Sequence, residues 1–279
     1  MRGQSGRAAT ATPRTPLRAG ATCLVTGANR GIGLALVRCL AQRPVRVFAG
    51  VRDVAGYTAI SPPPLAAIEV RPVRIDLSSA EAVESSCAEL GDDLERIDVL
   101  VNNAGRLTAG LLEEQRAEDV YAMFQANLVG LVHLTMRVLP GMLRRGHGVI
   151  VDNASISAYA HLPTATTYAA SKAGVAAFTS ALHRELRRTG VTTLTMVTPA
   201  VATEMLTEVD ETSGRHVDTS RWARLSPEEW AKRVVRAIDR GDRIVEATAQ
   251  TRVLRLAAHA PLRVVDVIAA RMFTRSSRR

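Results

Sequence analysis

Tyr168 and Lys172 stand four residues apart in the stretch Tyr168-Ala169-Ala170-Ser171-Lys172. Its pattern is helical, so the two side chains share one helix face. A phenol with a pKa near 10 is a poor base at neutral pH. A neighbouring ammonium favours the phenolate, and such a pair could pass a proton to or from an oxygen atom. Lysine is scarce here: Lys172 and Lys232 are the only two, against 34 arginines. A lysine kept where a compact ammonium is needed is a pointed choice, because arginine does not replace it there. A second constellation is Thr26-Gly27-Ala28-Asn29-Arg30-Gly31-Ile32-Gly33. Its glycines let the backbone turn tightly and approach a pyrophosphate, at which the free amides of the following helix would point.

The elements that must hold these residues alternate along the chain. Apolar runs predict strands at Thr22–Val25, Val45–Ala49, Val70–Ile75, Val99–Val101, Gly148–Val151, Val191–Val197 and Arg243–Ala247. Helical patterns fall between them at Gly31–Gln42, Glu81–Leu90, Ala117–Leu143 with a break near Pro140-Gly141, and Tyr168–Thr189. A further helix starts at Ser226-Pro227-Glu228-Glu229, with Ser as N-cap and Pro at the first helical position, and stops at Gly241. Short apolar strands separated by helices mean βαβ units, so the fold class is α/β: one Rossmann-type, doubly wound parallel sheet of about seven strands, with helices on both faces.

Composition narrows the function classes. The 279 residues carry a net charge of +9. Residues 1–20 hold four Arg and no acid, and residues 251–279 hold seven Arg and one acid. The intervening 230 residues are therefore near neutral, at −1. A nucleic-acid groove across the body is not supported. Cys23, Cys39 and Cys87 lack metal-ligand spacing, so no metal is expected, and they suit a reducing, cytoplasmic setting. No stretch offers about 18 uncharged apolar residues for a membrane span. Residues 1–20 read as a disordered basic tail, 21–250 as the dinucleotide-binding and catalytic domain, and 251–279 as a basic helical extension. In that extension, Pro261–Phe273 reads as a helix docked on its own domain or a sister subunit, with weak contact to an anionic membrane surface as the alternative.

The spacing G-x-x-x-G-x-G at Gly27, Gly31 and Gly33 resembles the short-chain dehydrogenase/reductase family. Asn102-Asn103-Ala104-Gly105 looks like the family's NNAG motif, and Asp76, in Asp76-Leu77, like its adenine-contacting Asp. Asn127 is similar to its mid-helix Asn. Tyr168 to Lys172 resembles its YxxxK centre, and Ser155 lies 13 residues before that Tyr. The resemblance spans roughly residues 21–250. It implies an NAD(P)-dependent oxidoreductase moving a hydride between the cofactor and an alcohol or carbonyl substrate. The implied catalytic centre is Asn127, Ser155, Tyr168 and Lys172. Ser155 would hold the substrate oxygen against Tyr168, and Asn127 would hold a water linking Lys172 to solvent. The implied cofactor contacts are Gly27, Asn29, Arg30, Gly31, Ile32, Gly33, Asp76, Leu77, Asn103, Ala104, Gly105, Tyr168, Lys172, Pro199 and Thr203, and a homodimer or homotetramer is implied too.

Arg52 decides the cofactor. An NAD-binding acid is expected at the end of the second strand, where this chain has Val51 and then Arg52, with Asp53 too late. Arg52 and Arg30 could pair with a 2′-phosphate, so NADP is expected, with NAD as the alternative. Three positions stand out against the family pattern: Ala154 replaces a first Ser, Ala200 replaces a Gly beside the nicotinamide, and Thr203 is retained. Residues 204–224, with Met205, Leu206, Val209 and Trp222, read as a substrate loop within about 200–225. Two other readings stay open: a non-catalytic dinucleotide-binding regulator on the same fold, and a same-family epimerase or dehydratase.

Overall fold

The apolar run after Ala21 forms the middle strand of a sheet. The computed structural model describes residues 16–57, 66–207, 216–217, 224–248, 251–253 and 255. In it, β1 (Thr22–Thr26) is buried at all five positions, as a parallel strand covered on both faces must be. It is followed by α1 (Gly31–Leu40), β2 (Arg46–Val51), β3 (Glu69–Arg74), α2 (Ala80–Leu90) and β4 (Val99–Asn102). Then come α3 (Ala117–Phe124), α4 (Gly130–Arg145), β5 (Gly148–Asn153), α5 (Thr166–Glu185), β6 (Val191–Val197), α6 (Pro227–Arg240) and β7 (Ile244–Glu246). The seven strands are all parallel, in the order β3-β2-β1-β4-β5-β6-β7. The order reverses between β1 and β4, and a crevice opens there at the carboxyl ends of the strands.

Strand alternation builds two cores. Cys23, Val25, Val47 and Val101 point toward α1 and α6, where Leu36, Trp230 and Val234 close one layer. Leu24, Phe48, Leu100 and Ile150 point the other way, onto Val83, Leu134 and Leu182 of α2, α4 and α5. Burying a side chain of this kind is worth about 1.5–3 kcal/mol, so both faces of every central strand hold the helices in register.

Three differences from the sequence pattern have a physical reason. Strand β5 continues through Asp152 and Asn153, both buried; polar residues end the apolar run without ending the strand. The long helix does not break at Pro140, which lies inside α4 and is exposed, so the carbonyl it leaves without a helical donor is open to water. The irregularity lies earlier, in a π-turn at Gln125–Val129, where the Gly130 amide reaches back to the Gln125 carbonyl. Helix α5 ends at Glu185 rather than Thr189, because Arg188 and Gly190 take left-handed backbone angles of 68° and 83°. By length and apolarity alone, Ala117–Arg145 could cross a membrane. Its α4 part instead packs on β4, β5 and α2, with Leu131, Leu134 and Met142 buried. The proposed tail through residue 15, Val209, Trp222 and the proposed helix Pro261–Phe273 lie outside the described residues; the last five residues of the expected tail, 16–20, are packed rather than disordered, because Leu17 is buried in the core and Arg18 pairs with Asp98.

Candidate active site

The first turn of the fold is built for something to sit against it. Gly27 takes a left-handed φ of 65°, and a Cβ there would stand 2.9 Å from Ala104 Cα. A Cβ on Gly33 would stand 2.0 Å from the Gly27 carbonyl oxygen and 2.7 Å from Asn103 Nδ2. Helix α1 therefore starts hard against β1 and β4. Its start is bare: Arg30 makes no side-chain cap, and the first turn holds no acid. Helices α2 and α6 differ, for Ser79 and Ser226 accept from first-turn amides and Glu81, Glu228 and Glu229 complement the dipole. A helix start left with free amides and no negative charge fits a phosphate. The cleft in front of it has a volume of 1490 Å³, above the range of about 300–1,000 Å³ usual for one small ligand. It has room for a dinucleotide and a substrate end to end.

Beyond the turn, Asn103 donates from Nδ2 to the Thr26 carbonyl at 3.0 Å, and Thr26 Oγ1 accepts from the Asn103 and Ala104 amides at 3.0 and 2.9 Å. These bonds lock the Asn103–Gly105 loop across the end of β1. Asp76 and Leu77, just after β3, line the cleft, and Asp76 Oδ1 accepts from the Ser78 amide at 3.0 Å. Pro199 and Thr203 line the same cleft, and Thr203 lies against Gly31. Ala200 is pinned at its carbonyl by the Leu225 amide at 3.1 Å. Asn29 and Ile32 complete the lining at the turn.

Three cleft-lining groups meet at the other end. Ser155, Tyr168 and Lys172 all line the cleft. Ser155 caps a short 3₁₀ turn and accepts from the Ser157 amide at 3.1 Å. Lys172, on α5, is buried and donates from Nζ to the Asn153 carbonyl at 2.7 Å. Burial pushes its amine down to about 8, with Asp152 opposing the shift. Tyr168 keeps part of its surface open, but its packing pushes the phenol up to about 12, offset only by the Ser155 hydroxyl. The expected lowering of the phenol by Lys172 is therefore not seen in the protein alone. Nζ stands 5.8 Å from the phenol ring centroid and spends its contact on Asn153.

Asn127 is fully buried in the π-turn. Its side chain accepts from the Arg106 amide at 2.7 Å and donates to the Arg106 carbonyl at 2.9 Å and to Ser171 Oγ at 3.1 Å. Its amide thus locks the loop after Gly105 onto α5, rather than reaching Lys172 directly.

The two arginines expected near an adenosine phosphate differ. Arg30 pairs with Glu204 across the cleft mouth, an exposed pair worth less than about 1 kcal/mol. Arg52 is exposed, lines the cleft and pairs with no carboxylate among the described residues. Asp53 turns away, accepting at Oδ1 from the Gly56 amide at 3.1 Å. No metal-holding group of three His, Cys, Asp or Glu occurs among the described residues.

Sequence reading missed Thr26, Asn153 and Asp152. Asn153 joins two loops: its Nδ2 donates to Asn103 Oδ1 at 3.1 Å, and its Oδ1 accepts from Thr198 Oγ1 at 2.6 Å. The available signal was a polar pair, Asp152-Asn153, running straight on from an apolar strand.

The family model for short chain dehydrogenases matches residues 21–214. The chain belongs to the short-chain dehydrogenase family. A 3-oxoacyl-acyl-carrier-protein reductase of Synechocystis sp. is 34% identical over 190 residues, covering 65% of this dehydrogenase and 74% of the relative. The ketoacyl reductase HetN of Nostoc sp. is 31% identical over 221 residues, covering 78% and 75%. Among solved structures, a short-chain dehydrogenase from Burkholderia cenocepacia in complex with NADP superposes with a TM-score of 0.75 at 24% identity, over 90% of this chain and 98% of that one. This short-chain dehydrogenase is thus an oxidoreductase with its family's seven-stranded parallel fold.

Proposed function

We propose that this dehydrogenase reduces a carbonyl group to an alcohol with NADPH, through Ser155, Tyr168, Lys172 and Asn127. The observation that carries the reading is one cleft with a bare helix start at one end and Ser155, Tyr168 and Lys172 at the other. When bound, the reduced nicotinamide supplies the hydride. The residues that would hold the cofactor are Gly27, Asn29, Arg30, Gly31, Ile32 and Gly33 at the pyrophosphate turn. Arg52, Asp76 and Leu77 would lie along the adenosine, and Asn103, Ala104, Gly105, Pro199, Thr203, Tyr168 and Lys172 along the nicotinamide half.

Ser155 would donate to the substrate oxygen and aim it at Tyr168. A phenol held near 12 is neutral at physiological pH, so Tyr168 stands ready to give its proton to that oxygen as the carbon is reduced. For its ammonium to lower the cost of the tyrosinate so formed, Lys172 would have to turn from the Asn153 carbonyl toward the phenol. Asn127 keeps the Arg106 loop and α5 at fixed separation. Arg52, with no acid opposite it among the described residues, favours a 2′-phosphate over a bare ribose. The relatives named as ketoacyl reductases, and the apolar Leu107, Ile156, Leu162 and Leu206 along the cleft, favour an acyl chain bearing the ketone. A cytoplasmic, homo-oligomeric enzyme fits this reading.

The test is NADPH consumption, followed by absorbance, over a panel from small ketones to 3-ketoacyl thioesters. Turnover is expected with the 3-ketoacyl thioesters above the small ketones. NADPH binding without turnover on any carbonyl would favour the regulator reading.

A further inference from the structure

Asp152 is the fifth residue of β5 and has no exposed surface. Its carboxylate lies behind the cleft, between the sheet and the helices α4 and α5. Oδ1 accepts from Asn102 Nδ2 on β4 at 2.8 Å, and Oδ2 accepts from Thr179 Oγ1 on α5 at 2.8 Å. Asn102 Nδ2 is shared with Thr135 Oγ1 on α4 at 3.0 Å. All three neighbours are neutral, and a buried carboxylate held only by neutral donors is costly. The next residue along β5, Asn153, offers the carbonyl that receives Lys172 Nζ. Two turns of α5 separate Thr179 from Lys172, so one helix brings both a donor and the ammonium to the same end of β5. Among the described residues the only other buried carboxylate is Asp98, which precedes β4 at the opposite end of the sheet.

We propose that Asp152 is a positioning residue, a buried counter-charge that keeps Lys172 in its ammonium form. The proposal rests on the reading of Tyr168 and Lys172 as the proton-transfer pair. The groups facing the carboxylate are Asn102 from β4, Thr135 from α4, and Thr179 and Lys172 from α5; of these only Lys172 titrates. Loss of water pushes Asp152 up to about 6 and Lys172 down to about 8, and each charge opposes the other's shift. Both charges therefore coexist in a window around neutral pH. Without the carboxylate, burial alone acts on Lys172, and the amine loses its proton at lower pH.

Asp152→Asn isolates the charge. The amide oxygen can still accept from Asn102. The new NH₂ can donate to Thr179 Oγ1, whose own proton can turn to the Val175 carbonyl 2.8 Å away. The protein has only two lysines, so ¹³Cε-lysine labelling gives two resonances, and Lys232→Arg assigns them. The Lys172 midpoint is expected to fall by about one pH unit or more in Asp152→Asn, with Lys232 unmoved. In the parent, the Lys172 resonance is expected to show a smaller second step as Asp152 ionises, and the Asn variant should lack it. An unmoved Lys172 midpoint in a folded Asn variant overturns the proposal. If that variant does not fold, a single-step Lys172 titration in the parent overturns it instead. Carbonyl reduction measured alongside separates the two claims: a shifted midpoint in a parent without turnover would sink the reductase reading and leave the counter-charge standing.

Discussion

Asp98 and Asp152 are both buried carboxylates at strand ends, on opposite edges of one sheet, and they are held in opposite ways. At the amino edge, Asp98 Oδ2 accepts from the Thr22 amide at 3.0 Å, while Oδ1 faces Arg18, Arg145 and His147 at 3.4, 3.7 and 3.3 Å. Those three side chains keep roughly a quarter to a third of their surface in water. At the carboxyl edge, Asp152 has neutral donors, no exposed surface and, among the described residues, a single ammonium with which it makes no direct ion pair. The first arrangement closes an edge and ties the chain before β1 to β4 and β5. The second keeps a charge where folding alone gains nothing from it. A fold tolerates that where the charge serves chemistry, and the carboxyl edge is also where the bare helix start and the cleft lie.

The difference predicts opposite responses to losing each charge. Asp98→Ala leaves the Thr22 amide and the arginines without their acceptor and should cost about 3 kcal/mol, read as a lower melting temperature with kcat unchanged. Asp152→Asn should stabilise. The Asp152 carboxyl sits at about 6 in the folded protein against an ordinary value of 3.8. Stability from holding that proton is complete below about pH 4 and is lost as pH rises through about 6. The Asn variant should therefore melt with the parent at pH 4 and exceed it by about 2 kcal/mol at pH 7. A gap that closes with rising pH would contradict the assignment of the two edges. The smallest effect is expected at the cleft mouth. Arg52→Ala should reduce the preference for NADPH over NADH by about tenfold, or about 1.4 kcal/mol, in kcat/KM ratios. An unchanged ratio would leave Arg52 as an ordinary surface residue.

Much of this architecture is legible in the residues. Seven apolar runs with helical intervals are enough for the parallel sheet, and Ser226-Pro227 and Gly241 bracket α6 where the structure has it. The glycine turn, Asn103, Ser155, Tyr168 and Lys172 do line one cleft. What pattern reading lost depends on three-dimensional neighbours. Asp152 and Asn153 look like the end of a strand because their partners, Asn102, Thr179 and Asn103, come from other elements. The π-turn around Asn127 has no breaker residue to announce it, whereas Pro140, which does look like a breaker, is absorbed on an exposed face. The pairing of Arg30 with Glu204 joins positions 174 residues apart, and nothing local encodes it. The lowered phenol inferred from i, i+4 spacing fails for a similar reason, since the Lys172 side chain is drawn to the Asn153 carbonyl.

The central claim is that Tyr168 is the proton donor of an NADPH-dependent carbonyl reduction. Its most direct test is Tyr168→Phe, with turnover and NADPH affinity measured on the same preparation. Turnover on the best carbonyl of the panel should fall by about 10³-fold, while the NADPH dissociation constant stays within about twofold of the parent. Turnover at the parent rate with the cofactor bound would contradict the account.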